Sequence, residues 1–237
     1  EEDLTSLINA CHERNMKIIF DFVPNHTGKG NAWFTDSCEG GEKKDWYVWN
    51  NSKLNWNPGM GSSDTWHKNP KGNDYYYAAF WEGQPDLNFR NYEVREEMKN
   101  VVRYWLNRGV DGWRLDQCYQ VYQGGHNYWY DLRNEVEAVA QERRDRGEQW
   151  GTLGYMVGED WTSADRITTT QQVGLKGVMD FDGKDILVNL GSGVGSIGKF
   201  LSSDAATRGY KDPGVNPTIF LSNHDTSRVG DFVDVNS

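Results

Sequence analysis

The sequence predicts an α/β fold built on a parallel sheet, and three observations carry that expectation. Five short, largely apolar runs at residues 17–23, 110–116, 155–158, 177–181 and 218–222 have the length and character of strands buried on both faces. The intervals between them leave room for crossover helices, which parallel strands need and hairpin strands do not. Polar and acidic residues gather where these runs end, as they do at the C-terminal rim of parallel α/β sheets.

Leu4, Leu7, Ile8 and Cys11 recur at helical spacing, so the chain opens on a helix followed by the strand at 17–23. From 27 to 89 the periodicity gives way to Gly, Asn, Trp and Tyr. That length is unusual for a connection inside a compact domain, so the segment is expected to be an irregular inserted subdomain. Its Trp33, Trp46, Trp49, Trp56, Trp66 and Trp81 serve either as its own core or as platforms on which sugar rings stack. Next, Asn91 is an N-cap, Glu93, Glu96 and Glu97 fill the first turns, and Val94, Met98, Val101, Val102, Trp105 and Leu106 form one apolar helix face. That helix stops near Gly109. In the strand that follows, Trp113 and Leu115 point away from Arg114 and Asp116 and are read as packing. Trp129, Leu132, Val136, Val139 and Ala140 mark one side of another helix. The acidic stretch 180–185 reads as a strand end and turn rather than a calcium loop.

Five strands would satisfy an open doubly wound sheet, but the Gly-rich phosphate fingerprint after a first strand is missing. An eight-stranded barrel needs three more strands, so a barrel reading takes this chain as an internal piece of a larger domain. Such a piece would expose two sheet edges and part of its core, and is expected to associate unless the remainder is supplied.

The 237 residues carry a net charge of -10, which argues against nucleic acid or an anionic membrane surface as a partner. No apolar run approaches the roughly 18 to 20 residues of a membrane span. Eleven Trp and twelve Tyr, many in polar surroundings, suit a neutral sugar ligand instead. Cys11, Cys38 and Cys118 are too few and scattered for a disulfide framework or a zinc cluster. With neither an initiator Met nor a signal peptide, the compartment is not readable.

Cleaving a glycosidic bond asks for two carboxyl groups astride it, and Asp116 and Glu159 can supply them. Arg114 lies two residues before Asp116 on the same strand face, placed to keep that carboxylate ionised. Glu159 has to start protonated, and carboxylate neighbours such as Asp225 are expected to raise its pKa. Any one of these acids could be a helix cap or a solvated loop group, but four converging segments are harder to explain so. Asn25-His26-Thr27 fits a glycosylation sequon, yet at a strand end an interior role is favoured. Asp21, His26, His224 and Asp225 could also be read as metal ligands, but no His-x-His or Cys cluster accompanies them.

These residues resemble the α-amylase superfamily of glycoside hydrolases over essentially the whole chain. Asp21 to His26 (DFVPNH) is similar to its first conserved region, Gly112 to Asp116 (GWRLD) to its second, Gly158-Glu159 to its third and Ser222 to Asp225 (SNHD) to its fourth. The resemblance implies a partial (β/α)8 TIM barrel, about strands 3 to 7, with barrel segments at 1–26 and 90–237 and a domain B at 27–89. It implies Asp116 as nucleophile, Glu159 as general acid/base and Asp225 as the carboxylate that binds and distorts the sugar. His26, His224 and Arg114 would hold the sugar and the nucleophile, with Asn223, Asp21 and Asp86 also at the substrate site. Gln84 to Asn88 (QPDLN) is similar to the motif of the oligo-1,6-glucosidase and α-glucosidase branch, which favours short α-linked oligosaccharides over starch.

The implied reaction retains the α configuration through a covalent glycosyl-enzyme and needs no cofactor. Asn25 aligns with a calcium ligand of true α-amylases, a site the oligosaccharide branch often dispenses with. Gln117, Tyr119 and Gln120 depart from the usual continuation of the second region, which leaves linkage preference open. A transglycosylase or isomerase of the trehalose synthase or sucrose isomerase kind would use the same residues. A non-catalytic, partner-binding relative usually loses them.

Overall fold

The computed structural model describes residues 1–56, 63–118, 128–161, 175, 177–202 and 216–231. Helix α1 (Glu2–Glu13) leads into β1 (Ile19–Phe22), and α3 (Tyr92–Leu106) into β5 (Gly112–Leu115). After α4 (Tyr128–Asp145) come β6 (Tyr155–Gly158), β7 (Gly177–Met179), α5 (Phe181–Gly191), the short α6 (Ile197–Leu201) and β8 (Asn216–Thr218). The five strands form one sheet in the order β1-β5-β6-β7-β8, every neighbouring pair parallel. The described residues form no closed barrel. β1 and β8 are the sheet's two edges, and Ile19, Val23, Ile219 and Leu221 beside them are exposed.

Between β1 and α3 the chain builds a second, antiparallel sheet in the order β2-β4-β3, from β2 (Trp49–Asn50), β3 (Trp66–Lys68) and β4 (Tyr75–Tyr77). A helix, α2 (Ala32–Cys38), precedes it, with Asn31 capping through its side chain to the Trp33 amide. The expectation of an irregular segment is thus corrected. Strands of two or three residues are too short to display a period of two, which hid them in the sequence. Trp46 and Trp66 are buried, Trp33 and Trp49 pack half-buried against the core, and Trp56 and Trp81 stand exposed.

The Asn91 side chain accepts from the Glu93 amide, as a cap should, and Val94, Met98, Val102 and Leu106 are buried on one face of α3. Helix α4 buries Trp129, Leu132, Val136 and Val139 against the same core. Arg103 of α3 ties the two helices by ion pairs to Glu135 and Glu142 of α4. At the end of the sheet where the strands begin, Asp111 is buried and accepts from the Ile18 amide (2.9 Å), the Gly151 amide (2.8 Å) and His12 Nε2 (3.0 Å). One carboxylate therefore fastens the entries to β1, β5 and β6.

Two local readings change. The acidic stretch expected as a turn is the start of α5, with Asp180 as the N-cap accepting from Gly183 N at 2.8 Å. The last strand lies at Asn216–Thr218 and not at 218–222, so four residues of non-strand chain separate its end from Asn223.

Candidate active site

The parallel register itself assembles the site. Asp21 of β1 is paired with Arg114 of β5, and Phe22 with Leu115, so the acid and the base are strand neighbours on one face. The ladder continues one residue past each strand: the Asp116 amide donates to the Phe22 carbonyl (2.9 Å) and the Glu159 amide to the Leu115 carbonyl (2.8 Å). Asp116 and Glu159 thus stand side by side just beyond adjacent strand ends. Trp113 and Leu115 are buried on the opposite face.

Arg114 is the hub. Its Nη1 donates to Asp21 Oδ1 and Oδ2 (2.9 and 3.1 Å) and to Asp116 Oδ1 (2.8 Å). Its Nη2 lies 2.8 Å from Glu159 Oε1, an ion pair without well-directed hydrogen-bond geometry, and 3.9 Å from Asp225 Oδ2. Four carboxyl groups around one guanidinium cannot all stay ionised cheaply. Glu159 is the one most removed from water, and its pKa is raised. Burial is the first cause; Arg114 and the Gln117 amide oppose it, and Asp116 and Asp225 raise it further. The carboxylate neighbours raise it as expected, behind burial.

Two features of this corner left no mark in the sequence. Gln117, directly after Asp116, has a positive φ of 44°, a left-handed backbone that non-glycine residues seldom adopt, and its amide points at Glu159 Oε2 (3.3 Å). Gly158 before Glu159 has no room for a side chain: a Cβ there would sit 2.7 Å from Leu175 Cδ1 and 2.8 Å from Cys118 Sγ. Of the departures noted after Asp116, Tyr119 and Gln120 lie outside the described residues.

Asn223, His224 and Asp225 come from the loop after β8. Asn223 Oδ1 accepts from the Asp225 amide (3.1 Å), and His224 Nε2 lies 3.0 Å from Asp225 Oδ2. Both His224 and Asp225 are open to solvent. His26 is half-buried, its ring 5.8 Å from that of Phe80. Burial lowers its pKa, with Asp116 pulling weakly the other way, so it is neutral near neutral pH and free to hydrogen-bond a hydroxyl.

Asp86 does not reach this cluster. It is buried, its Oδ1 accepts from the Ala79 amide (3.0 Å), and Asn25 donates to it from the other side. Its segment pairs with the chain after β1, through Leu87 N to Asn25 O (2.8 Å) and a bridge between His26 and Asp86. Asp86 is thus a buried side chain on the segment that bridges to His26. Asn25 is buried too, with its Oδ1 lacking a hydrogen-bond partner. The described residues hold no cluster of three acidic, His or Cys groups.

Burial lifts the Asp86 pKa from 3.8 to about 7. A carboxyl whose folded pKa is raised favours the native state below its unfolded pKa, and that contribution is lost as pH rises through the folded value. Asp86→Asn keeps the shape without the charge, and Asn25 can turn its idle Oδ1 toward the new amide. The variant is expected to outlast the parent in denaturant at pH 8.5, by up to about 4 kcal/mol, with the gap closing toward pH 4. Unfolding midpoints across that range decide it, and parallel curves would place the Asp86 charge elsewhere.

Residues 1–237 match the family described as alpha amylase, catalytic domain. Alpha-amylase 3 of Dictyoglomus thermophilum is 33% identical over 238 residues, covering 98% of this chain and 44% of that protein. The amino acid transporter heavy chain SLC3A1 of Homo sapiens is 35% identical over 188 residues, covering 75% of this chain and 25% of that one. Among solved structures, the alpha-amylase from H. orenii superposes with a TM-score of 0.74 at 28% identity, covering 98% of this chain and 47% of its own. The chain spans less than half the length of these relatives.

Proposed function

The chain belongs to the alpha-amylase catalytic-domain family, and on that premise we propose that it carries the catalytic centre of a retaining enzyme acting on α-glucosidic bonds of malto- or isomalto-oligosaccharides. Its parallel strands are read as strands three to seven of the family's barrel, with 27–89 as the inserted domain. One observation supports this reading most: Arg114 holds Asp116 at 2.8 Å and Glu159 at 2.8 Å on neighbouring strand ends, one partly open and one buried. The separation of two carboxyls by a single guanidinium suits direct attack better than the wider gap that an intervening water requires.

In this mechanism Asp116, kept ionised by Arg114, attacks the anomeric carbon while Glu159 gives its proton to the departing glycosidic oxygen. Glu159, now a carboxylate, then takes a proton from water or from a sugar hydroxyl, which attacks the same carbon and releases Asp116. Water gives hydrolysis; a sugar hydroxyl gives transfer or isomerisation. Asp225 and His26 bind ring hydroxyls, and Asp21 shares Arg114 with the nucleophile. Likeness to a transporter heavy chain supplies the second reading, a partner-binding module. That reading leaves four carboxyl groups converging on one arginine without a use.

Proton NMR of the first glucose released from 4-nitrophenyl α-glucoside, whose leaving group has no anomeric centre, separates these. Retention makes α-glucose appear first, with the β anomer growing only at the rate of mutarotation, and new disaccharides would mark transfer. β-Glucose as the first product would overturn the double displacement.

A further inference from the structure

Trp81 stands 62% exposed, the most open of the tryptophans noted in the inserted segment. The turn it begins closes with Gln84 N donating to Trp81 O (2.8 Å) and is held to the chain after His26 by Lys29 N to Gly83 O (2.8 Å) and Thr27 N to Pro85 O (3.2 Å). Its neighbour Phe80 meets the His26 ring. The indole lies directly over Gly83: a Cβ built there would fall 2.2 Å from Trp81 Cζ3 and 2.5 Å from Cη2. One face of the ring is thus seated on backbone that only glycine leaves free, while the residue as a whole remains mostly in water.

An exposed apolar ring is ordinarily a small liability, and here the fold gives up a side chain at position 83 to keep it flat. Among the residues described, no ring contact covers it. Glu82, next to it in the chain, is paired with Lys29 at 3.9 Å, which balances that charge. A flat aromatic face beside neutral polar groups suits the axial C–H face of a pyranose, which presents weakly positive hydrogens to the ring.

We propose that Trp81 is the platform on which the leaving-side sugar of the substrate stacks, so that it sets the preference for oligosaccharides over substrates with a small leaving group. This rests on the glycosidase reading above. His26 binds the sugar whose bond is broken, and Trp81, one residue past the ring that touches His26, meets the next sugar outward. Stacking of this kind is made with the sugar and not with a compact leaving group such as fluoride.

The test compares kcat/KM for maltotriose with that for α-glucosyl fluoride in the parent, Trp81→Ala, Trp81→Phe and Gly83→Ala. The maltotriose-to-fluoride ratio is expected to fall about tenfold in Trp81→Ala, as for the loss of one stacked aromatic face, and to return most of the way in Trp81→Phe. Gly83→Ala leaves the tryptophan in the sequence but lifts it from its seat, and should lower the ratio as well. A ratio unchanged in both Trp81→Ala and Gly83→Ala overturns the proposal. If the parent cleaves neither substrate, the glycosidase reading has failed, and calorimetric titration with maltotriose still decides the platform: weaker binding in Trp81→Ala supports it and equal binding refutes it.

Discussion

Asp116→Asn is expected to lower kcat/KM on maltose and on 4-nitrophenyl α-glucoside by roughly four to six orders of magnitude, with KM changing far less than kcat. The amide keeps the size of the carboxylate and can still meet Arg114 through its oxygen, so the geometry survives while the nucleophile does not. Asp116 is also one of four carboxyls crowded on Arg114. Removing one negative charge should leave the unfolding midpoint equal to the parent's or somewhat higher, which separates loss of chemistry from loss of fold. Both substrates suffer alike, because every productive route passes through the bond between Asp116 and the anomeric carbon. A variant within tenfold of the parent on either substrate would remove Asp116 from that role.

The reason so much of this site could be read from sequence is that strand register does the assembly. Arg114 and Asp116 are two residues apart in an extended segment, so their common face follows from the period of a strand alone. Their pairing with Asp21 follows from parallel neighbours in register, and the short apolar runs announced those strands. Where local periodicity is absent the reading failed. Two- and three-residue strands in the inserted segment gave no pattern, and Asp180 was taken for part of a turn because a lone cap carries no sign that a helix follows. The burial of Asp86 depends on contacts with Ala79 and Asn25 that only folding creates. The positive φ at Gln117 is likewise a product of tertiary constraint, invisible in a glutamine.

Glu159→Gln distinguishes an acid from a nucleophile, and its expected effect depends on what leaves. For maltose the departing oxygen is a poor leaving group without a proton, and kcat/KM should fall about 100- to 10,000-fold. For α-glucosyl fluoride or 2,4-dinitrophenyl α-glucoside no such proton is needed, so the first step proceeds and the glycosyl-enzyme then waits for a base that glutamine cannot supply. Azide, which needs no base, should restore turnover and yield α-glucosyl azide, the anomer required by attack opposite Asp116. The pH profile gives an independent reading. Glu159 acts first as an acid, so activity on maltose is lost as pH rises through its pKa, and burial places that alkaline limb above the range of an ordinary carboxyl. The limb should disappear in Glu159→Gln. Equal losses on maltose and on the fluoride, with no response to azide, would mean that Glu159 holds Arg114 in place and that the proton comes from elsewhere.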